Sequence, residues 1–172
     1  FAQSPPDAPD YVGTSRCLTC HAKYAKDWRS SHHGWAWRKP TAANVLGDFN
    51  DASFLHQGFT YRFQTDDGRY FVTADNTAGD SERFEVRYAV GVTPLQQYLV
   101  PFPGGRLQCL TIAWDSDLGE WFDLYPDEPI PHTDWMHWTR AAQNWNGMCA
   151  ECHSTNLVKG FEPDSQTYTT TW

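Results

Sequence analysis

No apolar run in the 172-residue chain approaches the roughly 18 residues that a membrane-spanning helix needs, and mean hydropathy is −0.63. No transmembrane segment is therefore expected. Basic residues are scarce: 13 Lys and Arg face 21 Asp and Glu, for a net charge of −8. A nucleic-acid binder needs a basic face, so no nucleic-acid partner is expected either. Methionine is nearly absent, at two residues, and no lipidation motif is visible. Disorder is excluded by the opposite excess, since 16% of the residues are aromatic and nine are Trp. The length suits one domain or two small ones. Hydrophobic residues, at 40%, are few for a compact core, and a bulky apolar cofactor would fill that gap.

Four of the five cysteines form two pairs, Cys17-Leu18-Thr19-Cys20-His21 and Cys149-Ala150-Glu151-Cys152-His153. Each pair reads CxxCH, the attachment signature of c-type haem. Two thiols about one helical turn apart can reach the two vinyl groups on one porphyrin edge, and the following imidazole then meets the iron as proximal ligand. Cys17, Cys20, His21, Cys149, Cys152 and His153 are thus the expected cofactor-binding residues for two covalently bound haems. A shared zinc site would use all four thiolates but leaves the His after each pair unexplained. A thioredoxin-like motif needs a βαβ context that is not apparent, and two structural disulfides are the remaining alternative. Haem attachment of this kind takes place outside the cytoplasm. The chain begins at Phe1 rather than Met, which fits an exported, periplasmic or extracellular protein with its signal peptide removed. Cys109, in a strand-like run, reads as a buried small hydrophobe, with a subunit contact or reactive thiol as the alternative.

Along the chain, residues 1–13 form an expected extended arm, rich in Pro and suited to contact with a neighbouring copy. Residues 14–58 form a first haem segment, with a helix over 15–30 capped by Ser15 and an irregular stretch over 31–58. Residues 59–125 read as an antiparallel β-insert with strands at Phe59–Phe63, Tyr70–Ala74, Phe84–Val90, Leu107–Trp114 and Trp121–Tyr125, separated by turn residues such as Asp66-Asp67-Gly68. Residues 126–172 form a second haem segment, with a helix over 134–147 whose stripe is Trp135, Trp138, Ala142 and Trp145. The expected fold class is α+β: two haem-bearing helical or irregular segments flanking the β-insert, as in a multihaem cytochrome c.

Seven His are present, two of them proximal, which leaves five for two distal positions. Met148 adjoins Cys149 and is too close to fold over its own haem, while Met136 stays open. Bis-His ligation, with low-potential haems, is the expected outcome. His33 lies twelve residues past His21, about 18 Å away if the helix ran on, so it would serve the other haem. His33 and His137 are the favoured distal ligands; His32, His56 and His132 are the alternatives. The Trp near the motifs read as packing for the haem pockets, and Arg16, Arg29, Arg38 and Lys39 as possible propionate partners.

Longer runs carry a resemblance: Val12-Gly13-Thr14-Ser15-Arg16 before the first motif, Trp28-Arg29-Ser30-Ser31-His32-His33 after it, Pro94-Leu95-Gln96-Gln97-Tyr98-Leu99-Val100, Phe102-Pro103-Gly104-Gly105-Arg106, and Asn144-Trp145-Asn146-Gly147-Met148 leading into the second motif. From about residue 11 to Trp172 the chain resembles the N-terminal cytochrome region of exported multihaem c-type cytochromes that often carry tetratricopeptide repeats. The resemblance implies electron transfer, and its Trp-x-x-Ser-x-His segment implies His33 as a ligand to a different haem. Family members usually continue into further CxxCH motifs and helical repeats, so this sequence reads as a short form or a fragment. A short form would regain haem neighbours by packing against other copies. Three function classes follow: an electron carrier, discrete or filamentous, whose partners are redox proteins or copies of itself; a haem enzyme reducing small oxyanions at an open iron; and a docking module in which the haems are staples. An electron carrier, not an enzyme, is the expected class.

Overall fold

The computed structural model describes residues 11–35 and 37–172. Residues 1–10 of the expected arm lie outside the described residues. The chain opens on α1 (Thr14–Ser30) and a single turn α2 (His32–Trp35), then turns into sheet. Strands β1 (Trp37–Arg38), β2 (Asn50–His56), β3 (Phe59–Asp66), β4 (Arg69–Asp75), β5 (Ser81–Glu85), β6 (Tyr88–Val90), β7 (Leu95–Phe102), β8 (Arg106–Cys109), β9 (Ile112–Asp115) and β10 (Glu120–Asp123) follow. The turns α3 (Trp145–Met148) and α4 (Ala150–His153) and the hairpin β11 (Phe161–Glu162) and β12 (Thr167–Tyr168) complete the chain.

Strands β2 to β5 form a four-stranded antiparallel meander. A second sheet runs β1-β6-β7-β9-β10, with β8 also paired to β7. The β3–β4 hairpin closes on Asp67 and Gly68, both at positive φ (48° and 71°), as a two-residue turn matched to strand twist requires. Alternation sorts the side chains of β3: Tyr61 and Phe63 are buried while Thr60 and Arg62 face solvent. The sheets meet through aromatic rings. Phe63 of β3 stacks on Trp121 of β10, centroids 3.5 Å apart and 5° from parallel. Phe49 sets its edge against Phe63, Tyr70, Tyr98 and Trp121, and such pairs contribute about 0.5–1.5 kcal/mol each beyond area burial. Gly47 fits beneath this cluster because a Cβ there would come within 2.6 Å of the Tyr98 hydroxyl and 2.7 Å of the Trp121 ring. The chain thus builds an aromatic core from its own residues.

The architecture corrects the expected fold class. The molecule is mostly antiparallel β-sheet with short helices, not an α+β arrangement of haem-bearing helical segments like a multihaem cytochrome c. Strand structure begins at Trp37 and resumes at Asn50, both inside the stretch expected to be irregular. β7, expected from no periodic pattern, sits at the centre of the second sheet. The helix expected over 134–147 is replaced by turns, a 3-10 turn at Ala141–Gln143 and the single turn α3. Its stripe does not hold together: Trp138 and Trp145 are buried, whereas Trp135 is exposed. Side chains compete with helical hydrogen bonds here. Asp134 Oδ1 accepts from the Met136 N–H, and Trp138 Nε1 donates to the Asp75 carbonyl across 2.9 Å. No helix among the described residues is long and apolar enough to cross a membrane.

Candidate haem-attachment sites and a histidine cleft

The first CxxCH lies within α1. Its N-cap is Gly13, with no side-chain capping bond, and not Ser15. The helix kinks at His21, whose φ of −122° and ψ of 32° leave the helical region. Cys17, Cys20 and His21 are all exposed, and no residue of this 17-residue helix is buried. Tyr24 and Trp28 are 70% and 54% exposed. The kink divides α1 into pieces shorter than the roughly 12–15 residues below which an isolated helix is marginal in water, so this much uncovered apolar surface implies a partner for this face. Beside the motif runs a groove lined by Leu18, Ala22, Trp35, Lys26, Arg29 and Ser30. Its apolar residues suit a porphyrin face and its two cations suit propionates, and Arg29 is among the four cations singled out from the sequence.

The helix does not run on to His33, as the 18 Å separation assumed. Ser31 is extended, and α2 folds back so that a Cβ on Gly34 would meet the Trp28 carbonyl. His32 and His33 are both exposed, on a turn packed beside α1. The distance objection to His33 over its own haem therefore lapses.

The second CxxCH spans the end of α3 and α4. The Asn144 side chain caps α3 by accepting from the Gly147 N–H at 2.9 Å. Asn146 accepts from the Leu107 N–H at 2.7 Å and donates to the Thr170 hydroxyl at 2.9 Å, tying the segment to β8 and the C-terminal hairpin region. Cys152 and His153 are exposed, and Cys149 is half-buried. Cys149 packs on a cluster of Leu99, Leu107, Cys109, Trp145 and Ala150. Burial, and then neighbouring Cys152, push the Cys149 thiol pKa up. Cys109 is buried, and burial pushes its thiol up strongly, with Cys149 adding to the shift. Its sulfur accepts from Gln97 Nε2 at 3.2 Å.

All five cysteines are free thiols. Among the described residues no group of three or more His, Cys, Asp or Glu is placed to hold a metal ion, so the two CxxC pairs do not converge into one zinc site. Each motif instead presents its own thiols and imidazole on a helical turn. The residues present fit a covalently attached haem at each motif: free thiols at CxxC spacing, an exposed imidazole next to them, an apolar neighbourhood, and Lys26 and Arg29 at the first.

Three of the five spare histidines go elsewhere. His56, His132 and His137 line one cleft of about 340 Å³ together with Asp75, Asp123 and Tyr61, and no residue of either CxxCH is in that lining. His137, a favoured distal ligand, is 4% exposed. Its Nε2 lies 2.8 Å from Asp75 Oδ2 and its Nδ1 2.9 Å from the Thr139 hydroxyl. Both ring nitrogens of His137 are thus engaged within the cleft, and ligating an iron, which needs a ring nitrogen with a free lone pair, would require it to give up one of these bonds. His56 Nε2 stands 3.5 Å from Asp123 Oδ2, and His132 packs against Gly79. Asp75 is the centre of the cleft. Burial pushes its pKa up, but hydrogen bonding and attraction from His137 and the Trp138 indole outweigh burial and hold the carboxyl below its ordinary value. The sequence reading did not reach Asp75; its pairing with His137 joins residues 62 positions apart, and no local pattern marks it.

No protein-family model, curated protein or solved structure matches the chain.

Proposed function

We propose that the chain is an exported, periplasmic or extracellular dihaem c-type electron carrier, with one haem attached at Cys17 and Cys20 and another at Cys149 and Cys152. The observation that carries this reading is the doubled CxxCH, each copy on a solvent-facing helical turn with free thiols and an exposed imidazole. When bound, the haem supplies one-electron redox chemistry. The chain's residues do the rest. The thiols fix each group at the surface, His21 and His153 stand next to them as proximal ligands, and Lys26 and Arg29 offer positive charge to propionates. The second attachment turn is held against β8 through Asn146, and the acidic surface favours basic redox partners through salt-sensitive docking. The alternative partner is another copy, in a homo-assembly that extends to a filament.

The test is expression with export and a c-type haem maturation system. Two haems per chain, retained under denaturing conditions, are expected by mass and by pyridine haemochrome. Substituting both thiols of either motif, as in Cys17→Ala with Cys20→Ala, should remove one haem and leave the other. A chain that takes up no covalent haem in that system would sink the reading.

A further inference from the structure

The second attachment turn contains one group that the protein leaves unmatched. The Trp145 indole Nε1 is buried and has no hydrogen-bond partner among the described residues, the single such side-chain nitrogen or oxygen found there. Trp145 is 1% exposed. Its ring stacks on Trp37, centroids 4.3 Å apart, and meets the Trp172 ring at 5.1 Å and 66°. Its carbonyl accepts from the Cys149 N–H at 3.0 Å, and the Cys149 side chain packs on the same cluster. The indole therefore stands one helical turn before the thiol that would carry the haem.

Stacking alone does not need the N–H, because a Phe would stack on Trp37 as well. A buried donor without an acceptor is costly, and the indole nitrogen can only donate. Resting on the haem reading above, we propose that Trp145 Nε1–H is a haem-binding group that donates to a propionate of the haem held by Cys149 and Cys152. The propionates are the strong acceptors at the edge of that group, whereas a thioether sulfur is a weak one. The apolar cluster around Trp145 includes Leu99, Leu107, Ala150 and the rings of Trp37 and Tyr88. Trp145 is then the inner anchor of that carboxylate, and the low local dielectric strengthens the bond.

The test uses haem-loaded protein. Proton–nitrogen NMR of the reduced form follows the indole N–H, assigned by its disappearance in Trp145→Phe. The expected result is a slowly exchanging N–H whose shift moves with the propionate titration. In Trp145→Phe the acid constant of that propionate, read from the pH dependence of the haem potential, should fall roughly tenfold through loss of a charge-assisted bond. An indole signal that ignores the titration overturns the proposal, as does an unchanged acid constant in a variant that still carries two haems. If Trp145→Phe fails to load, the wild-type signal alone decides. Wild-type protein with no haem at Cys149 and Cys152 defeats the haem reading itself, and the haem count separates that failure from this one.

Discussion

Asp75 gathers donors from both sides of the histidine cleft, and its acid constant makes it the residue through which pH acts on the fold. It accepts from His137 Nε2 at 2.8 Å, from Trp138 Nε1 at 3.1 Å and from the Tyr61 hydroxyl at 3.4 Å. Its folded pKa is depressed below the ordinary 3.8. A group depressed on folding stabilises the native state at pH above its unfolded value, and that contribution fades as pH falls through the folded value. Acid denaturation monitored by tryptophan fluorescence should therefore show a loss of stability setting in near pH 4 and growing below it. Asp75→Ala should flatten that acid limb. At neutral pH the same variant should lower the unfolding midpoint, because each buried donor left without its acceptor costs about 1–3 kcal/mol. His137→Ala should destabilise the fold in the same direction, because it removes the bond to Asp75, and an unchanged haem absorption spectrum in that variant would show that His137 does not ligate iron.

At the scale of elements, α1 and the sheets stand in contrast. Strands β3 and β4 carry their own burial: Phe63, Val72 and Ala74 are fully enclosed. Helix α1 encloses none of its residues, so on the proposed function its stability comes from the haem attached at Cys17 and Cys20. Hydrogen exchange should show residues 14–30 weakly protected when Cys17→Ala and Cys20→Ala block the first haem, and strongly protected in the fully loaded chain. Strands β3 and β4 should exchange alike in both. Equal protection of α1 in the two proteins would mean that the haem contributes nothing to that helix. The same contrast explains what was legible in the sequence. The CxxCH turns, α1 and the Asp67-Gly68 hairpin are local patterns and could be read directly. β2 was hidden because Asn50–His56 alternates only partly exposed with exposed residues, and β7 because Gln96 and Gln97 interrupt its apolar pattern. Gln96 is buried nonetheless, accepting from the Leu46 N–H and donating to the Asn44 carbonyl, about fifty positions away. The periodic Trp stripe over 135–145 suggested a helix, but Trp138 answers to Asp75 and Trp145 to Trp37, partners that no helical spacing encodes.

For the whole molecule the question is where two distal ligands come from. The cleft holds His56, His132 and His137, and no residue of either attachment turn is in its lining. Outside the cleft the chain keeps His32 and His33, adjacent residues beside the first motif. Two neighbours on one short turn are poorly placed to reach two haems carried on separate turns. On the proposed function, the iron at the second site then completes its coordination from another copy, and His32 and His33 on the outer face of that copy can supply it. Carbon monoxide binding to the reduced, haem-loaded protein reads this directly, with light scattering reporting mass in the same samples. The carbon-monoxide-reactive fraction should be high in dilute protein, fall as concentration rises, and track the appearance of oligomers. His33→Ala together with His32→Ala should keep the protein small and reactive at every concentration. A monomer that never binds carbon monoxide would place both distal ligands within one chain. Wild-type oligomers that stay fully reactive would instead mean an open iron, and would favour a haem enzyme over a carrier.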